Sequence, residues 1–345
     1  MRKTYGKLWG GLLIAFIGAA LYGQVGAPVL GFVPDGTGVR RVFGIPAGAS
    51  IAPPLSVPRG IGTMAASPGQ DYVLGAISDN GADNGEVVLM APDGTLTSLK
   101  GAHSAPDEIA ISPDGSAAAL WFSVLSHAQV ITGLPGAPQV REVDATFLGP
   151  SPYSLAISDD GQWLAGAWRS GNYAFGPHGE VNRLPVEDLV PAVAFLHGSH
   201  DLVIATHEQI LKVGDVGGAN QASVLLTGQG RLDAMAVAVA GGNNKVVVAD
   251  PRGKITQLDL TTGAAQTADC SCLPQGLFPM GRSAFRLNGL ESGAFQLFDS
   301  VSGQVLAAPL IQSDVTQSDG TQPAGTQTDA PPATRGVQPI QGVRR

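Results

Sequence analysis

Cys270-Ser-Cys272 holds both cysteines of the chain. Two thiols that close can bond to each other, to another molecule or to a soft metal. No third or fourth ligand lies nearby in sequence, so a metal is disfavoured. In an exported chain a Cys270–Cys272 disulfide is the expected state, acting as a turn clip with a redox or intermolecular role as the alternative. Three histidines, His197, His200 and His207, fall close together and raise zinc. His197 and His200 flank one turn, whereas His207 lies past the end of the next strand, roughly 20 Å away at 3.3 Å per residue. The stretch SDNGADNGE (78–86) offers oxygens for calcium, but Gly81 occupies a ligand position, Asn84 replaces the required glycine and Glu86 comes too early. There is no HExxH, G-x-S-x-G or P-loop, and Gly228-Gln-Gly230-Arg-Leu-Asp233 is a broken dinucleotide motif outside a strand–helix context. No catalytic residue, cofactor or metal is assigned.

The elements that position these residues come from a repeat. IAISPDGSAAALWF (109–122) and LAISDDGQWLAGAW (155–168) are nearly one phrase written twice. Small-residue anchors fall at Ala65, Ala110, Ala156, Ala194 and Ala236, with a weaker one at Phe278, spaced by 45, 46, 38, 42 and 42 residues. That period, with short apolar runs alternating with turns, is that of four-stranded propeller blades. Strands are lettered a to d from the axis outward; in the second unit they are 109–112, 116–122, 129–134 and 139–145. The repeated Ala suits strand a, which converges on a narrow axis. The pairs Asp35-Gly36, Asp93-Gly94, Asp114-Gly115 and Asp160-Gly161 are hairpin turns. Lying a blade apart, their carboxylates are not expected to meet on one metal.

Six units cover about 60–310, and VLGFVPDGTGVRRVFG (29–44) adds a strand–turn–strand pair that resembles the outer half of a unit. It reads as the start of a seventh, incomplete blade; six blades plus an N-terminal hairpin is the alternative. The expected fold is all-β, a propeller of four-stranded antiparallel blades with essentially no helix. Connections d–a and b–c open on one face. Two positions ahead of the successive a strands stand Gly62, Asp107, Tyr153, Pro191, Asp233 and Gln275, with Glu108 adjacent. They form the expected ligand-binding ring at the channel mouth, with Arg169 of a b–c loop farther out.

The ISPDG phrase and NNKVVVADPRGKITQLDLTTGA (243–264) resemble the WD40-like and YVTN-type repeats of bacterial propellers, although no Trp-Asp dipeptide or Gly-His opener occurs. The resemblance spans most of 60–310 and implies the propeller fold. Relatives of that kind include lactonases and exported binding proteins, so it leaves two activities open.

Composition bounds the partners. Hydrophobic residues make up 44% of the 345, enough for a core, while 47 glycines and 25 prolines supply turns. A net charge of −8 with no basic cluster in the body argues against nucleic acid. Arg2, Lys3 and Lys7 precede the apolar run 8–22, the pattern of a signal peptide over 1–23. Its cleavage would take the net charge from −8 to −11 and leave no stable membrane span; an uncleaved anchor is the alternative. Residues 24–310 form the propeller, and the polar Gln/Thr/Ser/Pro-rich segment 311–345 is an expected disordered tail. The sequence thus predicts an exported (periplasmic or extracellular) monomer. It binds a protein, peptide or glycan through its loop face, with a propeller hydrolase of the lactonase kind as the alternative.

Overall fold

The computed structural model describes residues 28–35, 38–55, 60–77, 85–149, 151–187, 192–228, 232–240, 242–290 and 295–308. The expected signal peptide 1–23, residues 78–84 of the SDNGADNGE stretch, Pro191 and the expected tail 311–345 lie outside the described residues. The first sheet has three strands, β1 (Val29–Asp35), β2 (Gly38–Phe43) and β3 (Ser50–Pro54). Six four-stranded sheets follow. The second is β4 (Ile61–Ala66), β5 (Val73–Ile77), β6 (Val87–Met90) and β7 (Leu96–Ser98). The third is β8 (Glu108–Ile111), β9 (Ala117–Phe122), β10 (His127–Thr132) and β11 (Gln139–Asp144). The fourth is β12 (Ser154–Ile157), β13 (Leu164–Trp168), β14 (Gly171–Phe175) and β15 (Val181–Arg183). The fifth is β16 (Ala192–Phe195), β17 (Leu202–Ala205), β18 (Gln209–Gly214) and β19 (Gln221–Thr227). The sixth is β20 (Ala236–Ala240), β21 (Lys245–Ala249), β22 (Lys254–Asp259) and β23 (Ala265–Asp269). The seventh is β24 (Phe278–Pro279), β25 (Ala284–Arg286), β26 (Phe295–Asp299) and β27 (Gln304–Ala308). Every sheet is a sequential meander, and the helical content among the described residues is one 3-10 turn, Pro46–Gly48.

The sequence of β9, AAALWF, shows why the sheets stack. All six residues are buried. Side chains alternate across a strand. Ala117, Ala119 and Trp121 therefore enter the cluster shared with the fourth sheet, while Ala118, Leu120 and Phe122 enter the one shared with the second. A strand apolar on both faces has to be covered on both. The same holds around the molecule: seven apolar clusters each join two adjacent sheets, the last joining the seventh to the first. The sheets close into a seven-bladed β-propeller.

Residues 29–44 are the innermost part of their blade rather than an outer pair, because Phe32, Val33 and Pro34 of β1 line the axis. The blade has three strands among the described residues and closes the ring as a sheet of its own. Gln70, in the β4–β5 turn with φ 60°, latches this closure. Its Oε1 accepts from Phe32 N (2.9 Å), and its Nε2 donates to Ser67 O (2.7 Å) and Pro279 O (2.7 Å). One side chain thereby ties the first, second and seventh blades together.

The recurrent phrase wires neighbouring blades as well as turning them. Within the turns, Ser112 Oγ donates to Asp114 Oδ1 (2.9 Å) and Ser158 Oγ to Asp160 Oδ1 (2.7 Å). Between turns, Tyr72 Oη donates to Gly115 O (2.6 Å), and Asp159 accepts from Asp114 N (2.9 Å) and Gly198 N (2.6 Å). Asn243 grips the backbone of His197 from both sides, at 2.6 and 2.7 Å.

Candidate functional site

The seven inner strands surround an axial cavity of about 810 Å³. Its wall is built from the small anchors Ala65, Ala110, Ala156 and Ala194, as the narrow axis requires. In the sixth blade the lining anchor is Ala238, two residues beyond the expected Ala236. Both face the same side of β20, so periodicity alone could not separate them.

Charged groups gather at the two ends of this lining. Glu108 opens β8 on the wall at the d–a end, where burial raises its carboxyl from 4.5 to about 7. The acid is thus held substantially protonated near neutrality and can donate as well as accept a hydrogen bond. Arg286, near the same end, lays its guanidinium 3.9 Å over the Phe278 ring and donates to Asn288 O (3.0 Å). Sequence reasoning missed Arg286 because it lies on a b strand exposed to the axis only where β24 shrinks to two residues.

Of the other predicted ring residues, Gly62 lies within β4, while Asp107, Tyr153, Asp233 and Gln275 are placed in the connections that frame the mouth, all of them outside the cavity wall. Asp107 N donates to Trp121 O (2.8 Å) and its Oδ2 accepts from Ser123 N (2.6 Å), tying a d–a to a b–c connection. Tyr153 holds the equivalent register, N to Ala167 O (2.7 Å), with an exposed ring. In the sixth blade that register belongs to Met235, whose N donates to Ala249 O (2.9 Å). Asp233 stands two residues earlier and meets His207 Nδ1 (3.1 Å) and Arg252 (3.2 Å). Gln275 accepts from Gly289 N (2.9 Å), and Arg169 is exposed in the β13–β14 turn. Asp107 and Gln275 thus brace loop backbone, while Tyr153 offers contact area.

Cys270 and Cys272 are joined by a disulfide in the connection after β23, with Cα atoms 5.0 Å apart. Cys270 N donates to Gly253 O (2.6 Å), so the clip is packed onto the β21–β22 turn. At the opposite end of the axis, Asp114, Asp159 and His197 bring ligand atoms within 4.8 Å of one another. The carboxylate that approaches Asp114 is that of Asp159, the residue before the Asp160-Gly161 pair; Asp160 itself turns to His200 Nε2 at 2.8 Å. Burial, then Asp114, pushes the Asp159 carboxyl up. His197 Nδ1 lies 2.7 Å from that carboxylate.

No family model and no curated protein matches the sequence. Among solved structures the chain is similar to apo AztD from Citrobacter koseri, at 13% identity over 79% of each chain with a TM-score of 0.52. It is also similar to U3-55K, at 12% identity over 74% of this chain and 82% of that one, with a TM-score of 0.50. Such likeness shows the fold: the class to which this chain belongs is the seven-bladed β-propellers.

Proposed function

We propose that this chain is an exported binding propeller that holds a protein or peptide partner on the face formed by its d–a and b–c connections. The observation that carries the reading is an exposed apolar patch on that face. Val124 (95% exposed) and Leu125 crown the β9–β10 loop, and Phe147 and Tyr153 stand in the neighbouring β11–β12 connection. Ser123 Oγ lies 3.2 Å from Ser151 Oγ, which brings the two connections together. Exposed large apolar side chains clustered on one face mark an interaction surface, and their character favours a polypeptide over a glycan. Export is supported by the basic, then apolar, first 22 residues and by the disulfide.

The test compares wild type with Val124→Asp and Tyr153→Ala as bait in the native extracellular or periplasmic fraction. A partner retained by wild type and lost by both folded variants supports the reading. A partner retained equally by all three removes this face from it. Intact mass of the protein recovered from its native source should lack about 23 residues' worth of leader.

Glu108 supports a second reading, a hydrolase of the lactonase kind, since a carboxyl titrating at about 7 inside a cavity suits acid–base work. A lactone panel decides between them: turnover abolished by Glu108→Gln would favour the hydrolase.

A further inference from the structure

We propose that His103, His127 and Glu142 form a binding site for a divalent transition metal of the zinc type, at the rim of the loop face, independent of the function proposed above. The register of the third blade builds it. β10 pairs with its neighbours so that His127 lies opposite Phe122 and Gln129 opposite Glu142. His127 and Gln129, two residues apart, share one face of the strand, and the connection after β7 sets His103 on that face.

Each histidine already stands at a metal-site separation from the carboxylate. His103 Nε2 is 3.1 Å from Glu142 Oε1, and His127 Nε2 is 3.4 Å from Glu142 Oε2. Tetrahedral zinc with bonds of about 2.0–2.1 Å holds its ligand atoms about 3.3 Å apart. All three ligand atoms fall within 4.8 Å of one another. His127 Nε2 is buried without a hydrogen-bond partner, a state that native proteins avoid and that a metal bond would relieve.

A supporting shell fixes these donors. Gln129, with no exposed surface, donates from Nε2 to Glu142 Oε1 (2.6 Å) and to Gly101 O (3.1 Å), and accepts from His103 N (2.8 Å). A single buried amide thereby holds two ligand-bearing segments in register, the arrangement that tunes metal sites. Phe122 stacks on the His127 ring at 5.0 Å and 18°, fixing its plane. Two imidazoles and one carboxylate suit zinc, cobalt or nickel better than calcium or magnesium. Three protein ligands at an exposed rim leave a fourth position for water or for a group of a bound partner.

The experiment uses the full chain freed of metal by chelation. Zn²⁺ is titrated calorimetrically and Co²⁺ is followed by visible absorption. The expected result is one saturable equivalent with the intense visible band of tetrahedral cobalt. That signal should be lost in His103→Ala and Glu142→Gln and weakened about 10–100-fold in Gln129→Leu, with His197→Ala unchanged. His103 is exposed, so its variant keeps the test alive should the buried substitutions unfold the blade. Absence of saturable binding in wild type overturns the proposal. So does binding undiminished in His103→Ala and Glu142→Gln, or binding lost in His197→Ala instead.

Discussion

Glu108 makes stability fall as pH rises, and replacing it by Gln should remove that loss. Burial against the cavity wall raises its carboxyl from 4.5 to about 7, so the folded protein binds a proton that the unfolded chain releases. Its folded-state value exceeds the unfolded one, so stability is fully present below about 4.5 and declines until the group is ionised above about 7. At 1.36 kcal/mol per pH unit the full gap corresponds to about 3 kcal/mol. The carboxyl faces an open cavity, so water screens part of this and the measurable effect is about 1–3 kcal/mol. Denaturant unfolding of wild type and Glu108→Gln at pH 4 and pH 8 reads it directly. The two proteins should match within error at pH 4, and the variant should be the more stable by that margin at pH 8. A carbon-13 titration of the Glu108 carboxyl should give a midpoint near 7. A midpoint near 4.5, or no gain for Glu108→Gln at pH 8, would refute the placement of this carboxyl in a desolvating wall.

Gln70→Ala should destabilise the ring by about 3 kcal/mol, because Phe32 N is left unsatisfied in a buried position and two further bonds go. Thermal unfolding should show a drop of several degrees; a shift under one degree would mean that blade packing alone closes the ring. Gly253→Ala should also destabilise, since this residue has φ 91° and an added Cβ would lie 2.7 Å from Cys270 O and 2.8 Å from Cys272 O. The clash would be absent in Gly94→Ala, where φ is 93° and the backbone strain is shared but the site is open, so that variant should lose less in the same melt. Trp121→Ala should cost about 3–5 kcal/mol, because its indole has no exposed surface and packs 5.5 Å from that of Trp168. A loss below about 1 kcal/mol in chemical denaturation would show that the interface collapses to fill the gap.

Much of the fold was written locally. A period of 38 to 46 residues, small anchors and Asp-Gly turns specify meandering blades, since each blade must bury both faces of strands such as AAALWF. The N-terminal blade was legible in number but not in position: VPDGT reads as a turn wherever it sits, and only packing put β1 on the axis. Similarly, Ala236 and Ala238 satisfy one alternation and are both paired in the ladder, and only closure around the axis chose Ala238.

The candidate sites divide along the same line. Sequence placed Glu108 beside the channel mouth, because its distance from the anchor Ala110 is fixed along one strand. It did not reveal that the wall would raise its carboxyl to about 7, since burial is set by tertiary packing rather than by the strand alone. His103, His127 and Glu142 span 39 residues and three elements with no spacing motif. Asp114, Asp159 and His197 come from three blades. Chain-local rules of alternation and turn chemistry determine a repeat; groups meeting across blades depend on the radius and register at which those repeats close, which only the ring supplies.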